Sequence, residues 1–126
     1  MKILLIDDDE ALKTVFSTAL QQAGFTVVSA GDGQNGIEKA KSEKPNLILL
    51  DQVLPDMKGN NALKTLKTDP ETQKIPVAML SNFGQQELIR EAINTGAMDY
   101  ILKYQIEPTD LVSKVKGFLA EKSTSV

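Results

Sequence analysis

Apolar residues follow two alternating rhythms along the chain: short apolar-rich runs, then positions recurring every three or four residues. The runs fall at residues 2–7, 25–30, 45–50, 75–80 and 98–102. The third is the most informative. Leu47, Ile48, Leu49 and Leu50 run straight into Asp51, and a turn follows that is set by Pro55 and Gly59. A continuous apolar run bounded by turn signals predicts a strand buried on both faces, as in a parallel sheet.

Between the runs the period changes to that of a helix. Residues 10–23 carry Ala11, Val15, Ala19 and Ala23 at fourfold spacing, with Leu12, Phe16 and Leu20 beside them. This stripe is wide enough to bury one helix face. Asp7, Asp8, Asp9 and Glu10 supply an N-cap and first-turn acids, and Gly24 stops the helix. A weakly patterned helix is predicted over 34–42, after Gly31, Asp32 and Gly33. A short one carries Ala62, Leu63 and Leu66, ending near Asp69 and Pro70. A further one carries Leu88, Ile89, Ala92 and Ile93, ending at Gly96, and a last one carries Leu111, Val112, Val115, Phe118 and Leu119. One domain is expected over 1–121, with 122–126 a polar tail.

Five strands alternating with five helices predict an α/β fold with a parallel sheet. Right-handed crossovers make it doubly wound, with strand order 2-1-3-4-5 in a flavodoxin-like three-layer sandwich. Ligands of such folds bind at the carboxyl edge, at the switch point between strands 1 and 3.

Composition narrows the chemistry. The chain has 126 residues, no cysteine, no histidine and a formal net charge of −3. A thiolate metal site is excluded, and so are the commonest general base and the commonest transition-metal ligand. Any metal should be a hard, oxygen-loving ion. The negative balance argues against nucleic acid or an anionic membrane as a direct partner. The first apolar run is too short for a signal peptide and no segment could span a bilayer, so a cytoplasmic location is the default expectation.

The predicted strand ends share one edge. Strand 1 delivers Asp7 and Asp8, strand 3 Asp51, strand 4 Ser81 and strand 5 Lys103. Three carboxylates in one cleft repel each other unless a cation neutralises them. With no His or Cys, that cation is expected to be Mg²⁺, which takes carboxylates, waters and phosphate oxygens. Acids, an ammonium and a hydroxyl together suit the grip of a phosphoryl group, and a carboxylate oxygen can attack it.

In register along nearly the whole chain, Ile6-Asp7-Asp8, then Leu49, Leu50, Asp51, Pro55 and Gly59, then Leu80-Ser81, then Asp99-Tyr100 and Lys103 resemble the receiver domain of two-component response regulators. Each motif alone is weak; their order and spacing carry the resemblance. It implies that Asp51 accepts phosphate from a histidine kinase or phosphotransfer protein. Asp8 and Asp51 would bind Mg²⁺ directly with the Val53 backbone carbonyl, and Asp7 through water. Ser81 and Lys103 would hold phosphoryl oxygens, and Tyr100 would act as an aromatic switch. The face formed by helix 4, strand 5 and helix 5 would present the altered surface to a downstream protein or output domain, or to a second copy in a homodimer.

Two departures from the family pattern stand out. Tyr104 follows Lys103 where the family usually has a cis proline; a non-proline cis bond costs about 3–4 kcal/mol, so a trans or strained loop is expected. Val53 stands where a polar side chain would orient an attacking water, which predicts slow self-dephosphorylation.

Singly, each residue has a plainer reading. Asp7 to Glu10 is an acid-rich helix start, Ser81 a turn hydroxyl, Lys103 a solvated cation and Tyr100 strand packing. Asp56, Lys58, Glu38 and Glu43 are read as solvated surface. The rival functions are a degenerate receiver that interacts without phosphate, an aspartate-nucleophile phosphatase and a flavodoxin-like cofactor binder. The phosphatase would carry a second Asp where this chain has Val53. The cofactor binder would need a hydroxyl- or glycine-rich phosphate loop after strand 1, where this chain has acids.

Overall fold

A computed structural model describes the backbone of residues 1–124 and the side chains of residues 1–120. The elements alternate as expected: β1 (Lys2–Ile6), α1 (Glu10–Gln22), β2 (Thr26–Ala30), α2 (Gly33–Glu43), β3 (Leu47–Leu50), α3 (Gly59–Thr68), β4 (Val77–Ser81), α4 (Gln86–Thr95), β5 (Asp99–Leu102) and α5 (Pro108–Thr124). The five strands pair in parallel in the order β2-β1-β3-β4-β5.

The period-2 geometry of the strands splits the core in two. Leu4, Ile6, Ile48, Leu50, Val77 and Met79 face one side with Ile37, Leu63, Leu66 and Ala92 from α2, α3 and α4. Ile3, Leu5, Leu47, Leu49, Ala78 and Leu80 face the other, against Phe16, Leu20, Leu111, Val115 and Leu119 from α1 and α5. All four β3 residues are fully buried, as expected of a central parallel strand. Each large apolar side chain removed from water contributes about 1.5–3 kcal/mol.

The α1 stripe is displaced from its expected place. Ala11 and Val15 are exposed, Val15 at 47%, while Phe16 and Leu20 are buried and Leu12 is half-buried. Only one of two adjacent lines can face the sheet, and the bulkier side chains take that side because they remove more apolar area. Asp9 caps this helix, its Oδ1 accepting from Leu12 N at 3.1 Å. Gly24, at φ 99°, ends it in a conformation that disfavours side-chain-bearing residues.

Ser81 is the last residue of β4 rather than the first beyond it, and Lys103–Gln105 form a 3₁₀ turn that the apolar pattern did not announce. The α5 backbone continues through Thr124, into the expected tail; residues 125–126 lie outside the described residues. No described helix is long and apolar enough to cross a membrane.

Candidate acidic site at the carboxyl edge

Asp7 and Asp51 are held by the sheet ladder itself. Asp7 N donates to Ala30 O at 3.0 Å and Asp51 N to Ile6 O at 2.9 Å, so the acids stand side by side just beyond β1 and β3. Carboxylate oxygens of Asp7, Asp8 and Asp51 all lie within 4.8 Å of one another; Asp7 and Asp51 are buried and Asp8 is exposed.

Lys103 reaches both buried acids. Its Nζ is 2.6 Å from Asp7 Oδ2 and 3.1 Å from Asp51 Oδ2, and only 6% of the residue is exposed. The bond to Tyr104 is trans, so the 3₁₀ turn delivers the ammonium without the family's usual cis proline. The second oxygens are also engaged: Asp7 Oδ1 accepts from Asp9 N at 2.9 Å and Asp51 Oδ1 from Gln52 N at 2.7 Å.

Three carboxylates against one ammonium leave the cleft negative. Burial pushes the Asp51 carboxyl above its usual range; Lys103 opposes this and the Asp7 charge adds to it. For Lys103 burial pulls down, but hydrogen bonding to Asp7 and the Asp51 charge outweigh it and hold the ammonium above its ordinary value. A small hard cation fits this donor set: the available ligand atoms are oxygens, the excess charge is negative, and exposed Asp8 leaves one side open to solvent.

The loop after Asp51 is tightly folded. Gly59 N donates to Gln52 O at 2.6 Å, and Val53 bridges Lys58 in antiparallel fashion. A Cβ on Gly59 would collide with the carbonyl oxygen of Asp51 and lie 2.7 Å from Gln52 Cα. Glycine is therefore required there by close backbone approach. Asp56 is exposed, as its sequence context suggested, yet its carboxylate is engaged. Its Oδ1 accepts from Gly33 N at 2.8 Å and its Oδ2 from Gln34 N at 2.9 Å, which pins the loop to the start of α2. Its partners are backbone groups more than twenty residues away, so no side-chain pattern could reveal them.

Ser81 and Tyr100 meet at a different atom pair. Fully buried Ser81 accepts from Phe83 N at 3.1 Å, and the Tyr100 hydroxyl donates to Phe83 O at 2.6 Å. Burial pushes the Tyr100 phenol up, the nearby Ser81 hydroxyl opposes this and the Asp51 charge adds to it. Of the expected site residues, Asp7, Asp8, Asp51 and Lys103 are thus brought into one cluster, while Ser81 and Tyr100 bond to the backbone N–H and C=O of the same residue, Phe83, just beyond β4.

Known proteins place this arrangement. The family model for the response regulator receiver domain matches residues 3–116. The phosphate regulon transcriptional regulatory protein PhoB of Escherichia coli is 35% identical over 118 residues, covering 94% of this chain and 51% of that protein. RpaA of Synechocystis, named a DNA-binding dual master transcriptional regulator, is 36% identical over 119 residues, covering 94% and 48%. The chain thus spans about half the length of the curated relatives it matches. Among solved structures, a CheY-like receiver domain protein from Methanospirillum hungatei superposes with a TM-score of 0.90 at 32% identity, covering 99% and 98% of the two chains. The BeF3-activated receiver domain of Klebsiella pneumoniae RstA gives 0.86 at 28%, covering 94% and 98%. Sequence motifs, sheet order and likeness along nearly the whole chain agree, and the chain belongs to the response regulator receiver domain family.

Proposed function

We propose that this chain is a phosphorylation-operated signalling switch: Asp51 accepts a phosphoryl group from a histidine kinase or phosphotransfer protein, and the new charge alters a protein-binding face. The observation that carries the reading is Lys103 Nζ bonded to both Asp7 and Asp51 inside a cluster of three convergent carboxylates. That set combines a nucleophilic oxygen, a fixed cation and a place for a second cation.

Asp7, Asp8 and Asp51, with the Val53 backbone carbonyl, would hold Mg²⁺, Asp7 acting through water. When bound, the ion supplies neutralising charge for the incoming phosphoryl oxygens. An Asp51 carboxylate oxygen attacks phosphorus, the P–N bond of the donor phosphohistidine breaks, and the imidazole leaves with the bonding electron pair. Lys103 neutralises one phosphoryl oxygen. Ser81 donates to another, which requires its hydroxyl to leave Phe83 N. The Tyr100 hydroxyl bonds the carbonyl of the same residue, so a shift of the Phe83 backbone is felt on the face built by α4, β5 and α5. The output is a changed contact with a partner protein or output domain, not substrate turnover.

The test is incubation of the protein and its Asp51→Asn variant with Mg²⁺ and acetyl phosphate, read by intact mass. One labile, Mg²⁺-dependent phosphoryl adduct on the wild type alone supports the assignment. An adduct that survives Asp51→Asn refutes it. Mg²⁺ binding with no adduct, from acetyl phosphate or a kinase, would favour a receiver that works without phosphate.

A further inference from the structure

We propose that Asp56 is a positioning residue for the phosphoacceptor loop: it braces the segment carrying Val53 against α2, and so sets how tightly the acidic site holds Mg²⁺ without touching the ion. The inference rests on the function proposed above and extends it to a residue outside the acidic cluster.

The geometry is a two-point clamp. The Asp56 carboxylate spans two consecutive backbone N–H groups, one oxygen to Gly33 at 2.8 Å and the other to Gln34 at 2.9 Å. The next residue, Met57, seals the same junction: a Cβ on Gly33 would come within 2.5 Å of Met57 Cγ and Sδ, so the thioether lies directly on the helix start. On the far side, Gly59 N to Gln52 O at 2.6 Å and the Val53–Lys58 bridge close the loop on itself. Val53 therefore sits between a backbone closure fixed to Asp51 and a carboxylate fixed to α2.

The clamp is additional to the helix's own cap. Asp32 already caps the helix, its Oδ1 accepting from Asn35 N at 2.7 Å. Asp56 supplies acceptors to Gly33 and Gln34, first-turn N–H groups that Asp32 does not reach, from a loop that could satisfy its own carboxylate in water. What the contact adds is a fixed distance between two segments. Charge-assisted hydrogen bonds from backbone N–H are short and directional, which suits that task. A ligand carbonyl held in place binds a metal better than one that must be ordered on binding, and loss of supporting contacts around metal ligands typically weakens affinity about 10–100-fold.

Three proteins separate the brace from the cap and from the function on which it rests: wild type, Asp56→Asn and Asp32→Ala. Each is titrated with Mg²⁺ alone by amide-detected NMR or calorimetry, unfolded in urea, and phosphorylated with acetyl phosphate at subsaturating and saturating Mg²⁺. An Asn at 56 turns one acceptor into a donor that faces a backbone N–H. Asp56→Asn is expected to weaken Mg²⁺ binding about 10-fold, and to slow phosphorylation at low Mg²⁺ with much of the rate recovered at saturation. Asp32→Ala is expected to lower stability while leaving the Mg²⁺ affinity within twofold of wild type. Equal Mg²⁺ affinity in wild type and Asp56→Asn, or equal weakening in both variants, overturns the brace. A wild type that binds Mg²⁺ but takes no phosphoryl group overturns the proposed function, while the affinity comparison still decides the brace. A wild type that binds no Mg²⁺ overturns both.

Discussion

Replacing Asp51 with Asn should stabilise the metal-free protein. Asp51 lies 3.1 Å from the Lys103 ammonium and has carboxylate oxygens of Asp7 and Asp8 within 4.8 Å. At an effective dielectric of about 20, the ammonium contact gives roughly 5 kcal/mol of attraction and each neighbouring acid roughly 3 kcal/mol of repulsion, less for exposed Asp8. Attraction and repulsion nearly cancel, so the burial that raises the Asp51 carboxyl decides the sign. Asn keeps an acceptor for Gln52 N, and Lys103 keeps Asp7 at 2.6 Å. Replacing buried charge by neutral groups of similar volume is often stabilising by about 1–4 kcal/mol, and with Lys103 kept on Asp7 the low end, a gain of about 1–2 kcal/mol, is expected. That is a rise of about 3–8 °C in Tm for a domain of this size, read by differential scanning fluorimetry in chelator at neutral pH. The sign with pH follows from the raised folded-state pKa. The wild type carries its penalty above that pKa. As pH falls through it towards the unfolded value of about 3.9, Asp51 takes up its proton and the two proteins converge. Excess Mg²⁺ should close or reverse the gap, since ligand at a hundred times its Kd stabilises by about 2.7 kcal/mol. A lower Tm for Asp51→Asn in chelator at neutral pH would refute the reasoning, because the Lys103 pairing would then outweigh the burial of charge.

Three further substitutions probe the same edge. Val53→Asn, placing an amide where the half-exposed valine cannot orient water, should shorten the phosphoryl half-life measured by intact mass; no shortening counts against that role. Gly59→Ala, whose methyl would strike the Asp51 carbonyl, should cost about 3 kcal/mol in urea unfolding, and a loss under about 1 kcal/mol would show that the loop yields easily. Lys103→Met strips the ammonium from two buried acids and should destabilise by about 3–5 kcal/mol in chelator, partly recovered by Mg²⁺; indifference to the ion would argue that it does not enter this cleft.

The fold was legible because its signals are local and redundant. The strands are rich in apolar residues, and β3 is buried on both faces as its unbroken Leu47–Leu50 run implies. The acidic cluster was legible for a topological reason: once the strand order is 2-1-3-4-5, the ends of β1, β3, β4 and β5 follow one another along a single edge. What was not legible depends on competition or on backbone partners. The α1 stripe holds two adjacent apolar lines, and only relative bulk decides that Leu12, Phe16 and Leu20 turn inward while Val15 stays outside. Asp56 bonds to main-chain N–H groups, which every residue but proline carries, so no partner type marks it. The 3₁₀ turn at Lys103–Gln105 has no period long enough to read.

That turn bears on the strongest rival reading, a receiver that keeps the fold and has lost the chemistry. The case for it was the tyrosine that follows Lys103. A lysine delivered by a different loop could have pointed into solvent, leaving Asp7 and Asp51 without a counter-charge. Instead its ammonium is buried and bonded to both acids, with the intervening peptide trans. Desolvating an ammonium and two carboxylates costs several kcal/mol per ion and is repaid only by good geometry. A hydrophobic trio of similar volume would serve a purely structural role at least as well. The arrangement is therefore better explained by a need to keep charge at this edge than by a need to hold the edge together. The tyrosine then alters what surrounds the site: at 66% exposure beside the lysine, Tyr104 changes the surface around the cleft while Lys103 stays paired with Asp7 and Asp51.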